Sequence, residues 1–511
     1  MGVFRNAILS IGSWNLKRIA VCGFLAVAFS LASCSGKTST AADGSSGSNA
    51  QLIVTLRATP LPPRGNANVL SMSATVIGVS LTPSTGGSVN VPLNSSFYQV
   101  DFARLQGDTA FLALSSAIPA GTYTNMVVSL SNPAVTYCTQ TQGIAGCAPG
   151  SVITLGGGPA TPIITGAPFP LVVTGTQSTA LAVNVNIAKA LILNVQTQAI
   201  TSVNLGAADV LTAMILPPAS SSLPPRALDF IEDVTGSVSS VNTTSQSITV
   251  QTATKGPITA VVGNTTILSP NCTTFNLGSI FMCAKQGQVA SLETTLNADG
   301  SFTLLEYDPL ATTAGDWVEG IVGLPSSSST QFELVTNDLF LNPSNSVIGS
   351  NLELGAPVRI TLANPKPFAV DTKGLNVPIS TFTGATDASI LMPGQTLAVH
   401  VVSFIPASGA TLAAANVDFV YLRFTRVTGS VASAAPPNTF AMQSFPSFFG
   451  LTASATVQLS NGSPSTNFDG ANGAADVVPG QAVSIRALYF GPPTGPTPTP
   501  TPFSAAKIRV P

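Results

Sequence analysis

The sequence predicts an all-β protein of several domains, an antiparallel sandwich followed by three small barrels. Three observations carry this. Apolar residues alternate with period two, as in Leu181, Val183, Val185 and Ile187, separated by Ala182, Asn184 and Asn186. Glycine-marked phrases recur in the second half. Charged residues make up only 8% of the 511-residue chain, while 44 Gly and 39 Pro punctuate it. A typical soluble domain carries about 25% charge, so hydroxyls and amides must wet this surface.

The chain opens with Arg5, Lys17 and Arg18, then an apolar run from Ile19 to Leu31. That pattern is a secretory signal. The run is 13 residues long, short of the roughly 20 that a spanning helix needs. Leu31-Ala32-Ser33-Cys34 closes it, and the sequence turns polar at once. This resembles the lipobox of bacterial lipoproteins, although Ser33 stands where Gly or Ala is more usual. The resemblance implies that Cys34 is acylated, as by palmitate, and becomes the mature N-terminus, so the membrane is a partner through its lipid. Ser35 in place of Asp implies the outer membrane. Residues 1–33 are then a signal peptide. Residues 34–50, mostly Ser, Gly, Thr and Ala, cannot bury a core and read as a flexible tether.

Residues 51–218 form the predicted sandwich. Pro119-Ala120-Gly121-Thr122-Tyr123 makes a turn, and Met126, Val128 and Leu130 continue as a strand. The phrase resembles a turn of bacterial sandwiches of the immunoglobulin or transthyretin kind. Short helices are expected within Gln99–Ala117 and Gly206–Leu216. Residues 219–230, around Ser220–Ala227, read as a linker.

Repeats begin there. Val234-Thr235-Gly236-Ser237-Val238 returns as Val427-Thr428-Gly429-Ser430-Val431, and more loosely as Val318-Glu319-Gly320-Ile321-Val322. A second strand follows each: Ser247–Val250, Phe332–Val335 and Phe440–Met442. A Gly-Gln pair then opens an apolar strand at Gly287-Gln288, Gly394-Gln395 and Gly480-Gln481. The distance from first glycine to Gly-Gln is 51, 74 and 51 residues. Between them lie Thr273-Thr274-Phe275, Ser380-Thr381-Phe382 and Ser465-Thr466-Asn467-Phe468. A glycine at a barrel corner and a second at a turn with positive φ suit small OB-like barrels; an immunoglobulin-like sandwich is the alternative. The units are 231–310, 315–424 and 425–511. Pro492–Pro502 is expected to be a stiff exposed loop before a last strand at Ala506–Val510.

The whole resembles a group of bacterial outer-membrane lipoproteins with an N-terminal β-sandwich and repeated small β-domains, both of unknown function. The resemblance brings no activity and no cofactor.

Cys22 leaves with the signal and Cys34 takes the lipid, leaving Cys138 with Cys147 and Cys272 with Cys283. In an exported chain two local pairs read as disulfides. A zinc site would need four convergent ligands, and His400 is the only histidine. His400 lies six residues after Gly394, at the position of Glu293 and Arg486 in the other units; it reads as an outward strand residue, and no Gly-x-Ser-x-Gly elbow accompanies it. Carboxylates group at Asp229, Glu232 and Asp233, at Glu306 and Asp308, and at Asp316 and Glu319. They read as solvated charge at domain junctions, with calcium or a glycosidase pair as minority readings. Trp317, Phe445, Phe448 and Phe449 are candidate ligand contacts, since exposed rings could stack on sugars.

Without its signal the chain has 16 Lys+Arg and 21 Asp+Glu, a net charge of −5. No basic cluster exists to neutralise phosphates, so nucleic acid is not an expected partner. The expected function is non-enzymatic: a cell-envelope lipoprotein presenting tandem β-domains to an envelope protein or a neutral polysaccharide. A carbohydrate-binding accessory role is the alternative, and a hydrolase using the grouped carboxylates the third.

Overall fold

Period-two patterning gives strands almost throughout the computed structural model. It describes residues 48–62, 67–139, 145–148, 150–175, 177–216, 227–268, 283–311, 315–377, 379, 382–451, 454–462, 464–491 and 502–510.

The N-terminal region contributes β1 (Asn49–Ala58), β2 (Ala67–Pro83), β3 (Val89–Val91), β4 (Tyr98–Asp101), β5 (Ala110–Pro119), β6 (Gly121–Thr139), β7 (Val152–Gly156), β8 (Ile163–Ile164), β9 (Leu171–Val173), β10 (Ser178–Val185), β11 (Leu191–Leu193), β12 (Ile200–Val203) and β13 (Leu211–Ile215). One sheet runs β13-β10-β1-β5; the other is built on β3-β2-β6-β7. They close over Leu52, Val54, Leu56, Met72, Val76, Val128, Leu181 and Val183. The sandwich is not wholly antiparallel, because β1 and β10 pair in parallel. The turn at Pro119–Tyr123 leads into β6 as expected, and the Tyr123 hydroxyl donates to the Pro119 carbonyl at 2.7 Å.

Three local expectations fail here. Gln99–Ala117 holds only a 3-10 turn at Arg104–Gln106 before β5. Gly206–Leu216 holds β13 in place of a helix. Ile187 starts a one-turn helix, Ile187–Ala190, capped by the Asn186 side chain, instead of continuing β10. The wet face expected for β10 is also dry around Ala180 and Ala182. Those residues, with Ile53 and Phe111, share a core with the first barrel. The Phe111 and Phe302 rings meet edge to face at 4.9 Å across that seam.

Barrel one comprises β14 (Ala227–Asn242), β15 (Ser247–Gln251), β16 (Pro257–Leu268), β17 (Val289–Asn297) and β18 (Phe302–Ala311). They close in the order β14-β15-β16-β18-β17, with β16 and β18 parallel. β14 starts inside the stretch expected to be linker, so Asp229 belongs to the barrel. Barrel two has β19 (Asp316–Ser328), β20 (Gln331–Phe340), β21 (Pro357–Leu362), β22 (Ala369–Val370), β23 (Thr396–Ile405) and β24 (Ala413–Arg423). Barrel three has β25 (Thr425–Ala435), β26 (Thr439–Gln443), β27 (Ala455–Leu459), β28 (Asn467–Asp469), β29 (Ala482–Tyr489) and β30 (Phe503–Arg509). In both, the third and fifth principal strands pair in parallel and complete the same ring, β21 with β24 and β27 with β30. All three repeats therefore share the OB-like connectivity.

The glycine marks have a physical cause. A Cβ on Gly236, Gly320 or Gly429 would strike the backbone of the second strand, at Gln251, Val335 and Gln443 respectively. Gly287, Gly394 and Gly480 have φ of +84°, +93° and +84°, a region costly for other residues. The following glutamine caps its own turn. Its Oε1 accepts from the backbone N–H of Lys285, Met392 or Val478, at 3.0, 2.9 and 3.1 Å. One position takes φ > 0 and the next needs a side-chain acceptor of that length, hence Gly-Gln. Thr273–Phe275, Ser380 and Thr381 lie outside the described residues. After the Pro-Thr run, whose residues 492–501 also lie outside them, the chain returns as β30.

Gly47–Pro511 forms one compact unit. The four β-domains are packed on one another, not strung out.

Candidate functional site

The carboxylates expected to be solvated junction charge are buried. Asp229, Asp233, Glu306, Asp308, Asp316 and Glu319 are all almost inaccessible; the Glu232 side chain lies outside what is described. At the centre, Asp233 of β14 meets Lys373 Nζ at 2.9 Å, Arg423 Nη2 at 3.2 Å and Arg486 Nη2 at 2.6 Å. Lys373 also meets Glu293, Glu306 and Asp371 at 3.0, 3.0 and 3.6 Å. Arg423 reaches Asp308, Asp371 and Glu319 at 3.3, 3.0 and 3.5 Å. Arg426 pairs with Asp108, and Arg104 with Glu319 and Asp338 at 3.1 and 2.9 Å. Lys255 joins Asp338 at 2.8 Å. A second group, Arg57, Lys507 and Arg509 around Asp229 and Asp469, is tied to the first because Arg509 Nη1 donates to the Asp108 carbonyl at 2.9 Å. The sandwich and all three barrels contribute.

The arrangement follows the repeats. Glu293 and Arg486 hold the same position in barrels one and three, and Arg486 Nη1 donates to Glu293 Oε1 at 2.8 Å. In barrel one Glu293 is paired across the sheet with Glu306; in barrel three Arg486 is paired with Lys507. The same barrel face is acidic in one copy and basic in the other, and the two faces meet. Barrel two inserts Lys373 from the segment that lengthens its spacing to 74 residues.

Burial raises the cost of every charge here, and close counter-ions offset it. Against burial, Arg486, Lys373 and Arg423 hold Asp233 well below the ordinary carboxylate range. Arg426 and Arg486 do the same for Asp108. Lys373 and Arg423 are held well above their ordinary values by the carboxylates around them, again against burial. Glu306 goes the other way. Burial pushes it well above its ordinary value against the pull of Lys373, and Asp371, Asp308 and Glu293 add to the push.

Among the described residues the two groups hold ten carboxylates and nine cations. Glu306, pushed upward by burial, is the carboxylate placed to take the proton that would balance them. Glu306→Gln is therefore expected to change stability by less than about 1 kcal/mol, since an amide replaces a neutral acid of the same shape. The check is an infrared difference spectrum at pH 7, in which Glu306→Gln removes a protonated carboxylic acid band. An unchanged spectrum together with a large stability loss would contradict it.

Other expected sites resolve differently. Trp317, Phe445, Phe448 and Phe449 are all buried, so they make no exposed platform for sugars. Trp317 packs on His400 and Phe419, and Phe445 stacks on Phe503. Phe448 and Phe449 line a cavity of about 80 Å³ where the sandwich meets barrels two and three, beside Asn68, Arg104, Glu319 and Arg426. His400 is a half-buried strand residue. Its Nδ1 lies 2.6 Å from Asp418 Oδ1, Asp418 Oδ2 accepts from Lys366 at 2.8 Å, and its Nε2 edge packs against Gly315. Cys138 and Cys147 are bonded, with Cα atoms 5.6 Å apart. Their loop docks across domains, for Cys147 N donates to the Gly323 carbonyl at 2.9 Å and Gly146 N to that of Phe448 at 2.8 Å. Cys283 is disulfide-bonded; Cys272 and Cys34 lie outside the described residues. No group of three or more metal-ligating side chains is found among the described residues.

The fold and this centre define a class: an all-β protein of a sandwich and three OB-like barrels joined by a buried ion network. No protein-family profile matches the chain, and a search of curated proteins returns no significant match.

Proposed function

We propose that the chain is an exported lipoprotein, held on the outer membrane through acylated Cys34 and acting as a non-enzymatic binding or structural body. The observation that carries the reading is the location of its charge. The carboxylates grouped in the sequence are almost inaccessible and paired with cations inside the domain junction. An acid pair for glycoside hydrolysis must instead flank an open cleft. What remains outside is mostly Ser, Thr, Asn and Gln, a surface suited to neutral partners. The basic start, the apolar run, the small residues before Cys34 and the polar stretch after it support export and anchoring. No helix among the described residues is long and apolar enough to cross a membrane.

Cys34→Ala is expected to move the protein from the membrane fraction to the soluble fraction of fractionated cells. Retention in the membrane fraction would remove the lipid anchor from the reading. A tag within residues 492–502, with protease shaving of intact cells, separates surface from periplasmic display.

A further inference from the structure

We propose that the groove between barrels two and three binds a neutral, polyhydroxylated ligand, a segment of uncharged polysaccharide. This deepens the reading above by giving the body a site and a ligand class, and it rests on that reading.

The groove has a volume of about 530 Å³, within the roughly 300–1,000 Å³ of small-molecule sites. Barrel three supplies Asn438 from the turn before β26, Gln458 from β27, Asn461 just beyond it and Ser504 from β30; barrel two supplies Leu375, Asn376 and Val377 from the segment after β22. Asn376, Asn438 and Asn461 are exposed; Asn461 Nδ2 donates to Asn438 Oδ1, which leaves the Asn461 oxygen and the Asn438 NH₂ group facing a ligand. Ser504 is only 3% exposed, and its hydroxyl has no hydrogen-bond partner among the described residues. A buried hydroxyl without a partner is destabilising, and a ligand hydroxyl in the groove would satisfy it.

The lining selects the chemistry. Among the described residues it contains no charged side chain, although charged groups crowd the junction that begins at Lys373, two residues before Leu375. A phosphate or carboxylate ligand would want cations, and a metal would want carboxylates or imidazole. A lipid chain would want a continuous apolar wall, and Leu375, Val377, Leu459 and Ala505 are interrupted by amides and serines. Amides offer both donors and acceptors, matching hydroxyls that are also both. Leu375 and Val377 give an edge against which the C–H face of a sugar ring can rest. Without an aromatic platform, affinity per sugar is low, and a repeating polymer gains through multiple contacts.

The test uses the full mature chain carrying Cys34→Ala, titrated by calorimetry and NMR with linear hexasaccharides of glucose, mannose and N-acetylglucosamine. Hexagalacturonate is the charged control. Saturable binding of at least one neutral hexasaccharide is expected, weakened at least tenfold by Asn376→Ala with Asn461→Ala. Both positions are exposed, so the fold should survive; Asn438→Trp, which fills the groove, is the second variant and should abolish binding. Binding that survives both variants would overturn the site, and equal binding of hexagalacturonate would overturn the ligand class. No binding of any neutral hexasaccharide would overturn the proposal while leaving the anchoring, read by fractionation, untouched.

Discussion

Asp233→Asn is expected to destabilise the protein by about 3–5 kcal/mol, the loss seen when one partner of a buried ion pair is removed. The carboxylate accepts from three cations on two barrels, Lys373 and Arg423 of barrel two and Arg486 of barrel three. An amide keeps the shape and removes the charge. Its NH₂ group would also point a donor at groups that can only donate. The expected readout is a lower urea midpoint with an unchanged slope, in one transition seen by both far-UV circular dichroism and Trp317 fluorescence. A loss under 1 kcal/mol would mean that the apolar seams alone hold the domains together. The contrast with Glu306→Gln sharpens the test. Both replace a buried acid by its amide close to Lys373, yet the surroundings hold one acid well below the ordinary carboxylate range and push the other well above it. Equal effects would refute that difference.

Much of the fold was legible because it is written locally. Alternation announces strands, and Gly-Gln announces a turn needing positive φ and a capping acceptor. The spacing of 51 residues in two units announced homologous barrels. The short helices were misread because Gln99–Ala117 and Gly206–Leu216 mix small and apolar residues without a clear period, and β-pairing decided them. The junction was not legible in the same way. Asp229, Asp233, Glu306 and Glu319 are scattered along the chain, and scattered acids in a polar sequence read as solvated. Their burial depends on cations far away along the chain, Arg57 and Lys507 for Asp229, Lys373, Arg423 and Arg486 for Asp233, Lys373 for Glu306, and Arg104 and Arg423 for Glu319, which no local window contains. One signal was present: Glu293 and Arg486 occupy the same repeat position with opposite charge. Read as a pair and not as one outward position, they point to two complementary faces. The aromatic candidates failed for the opposite reason, since a ring near a loop looks exposed until a second domain covers it.

The same network sets the response to acid, and the expected effect is as large. Asp108, Asp233, Asp338 and Asp469 are all held below the ordinary carboxylate range, against burial, by neighbouring cations. A depressed folded-state pKa contributes stability that is complete above the unfolded value, about 3.9, and is lost as pH falls through the folded value. Each tenfold strengthening of acidity is worth about 1.4 kcal/mol. Four such groups act in the same direction, against a total stability of about 5–15 kcal/mol for a typical domain. Glu306 opposes them, because a raised pKa favours the folded state at low pH and loses that contribution as pH rises through the folded value. Asp101 and Glu333 are also raised, chiefly by burial, and oppose them in the same direction. Lys373 and Arg423 are raised as well, so their contribution is complete below their unfolded values and falls only in alkali, beyond about 10.4 for the lysine. Urea midpoints should therefore drop steeply below about pH 4, and above about 4.3 they should decline gently as pH rises towards the raised folded value of Glu306. Since these carboxylates join the sandwich to all three barrels, the domains should come apart in one step. Midpoints that hold at pH 3, or barrels that unfold in separate transitions, would show that the charges do not couple the domains. A surface kept nearly free of charge leaves few exposed ionisable groups to produce an acid response of this size, so a steep cooperative loss would report on the interior.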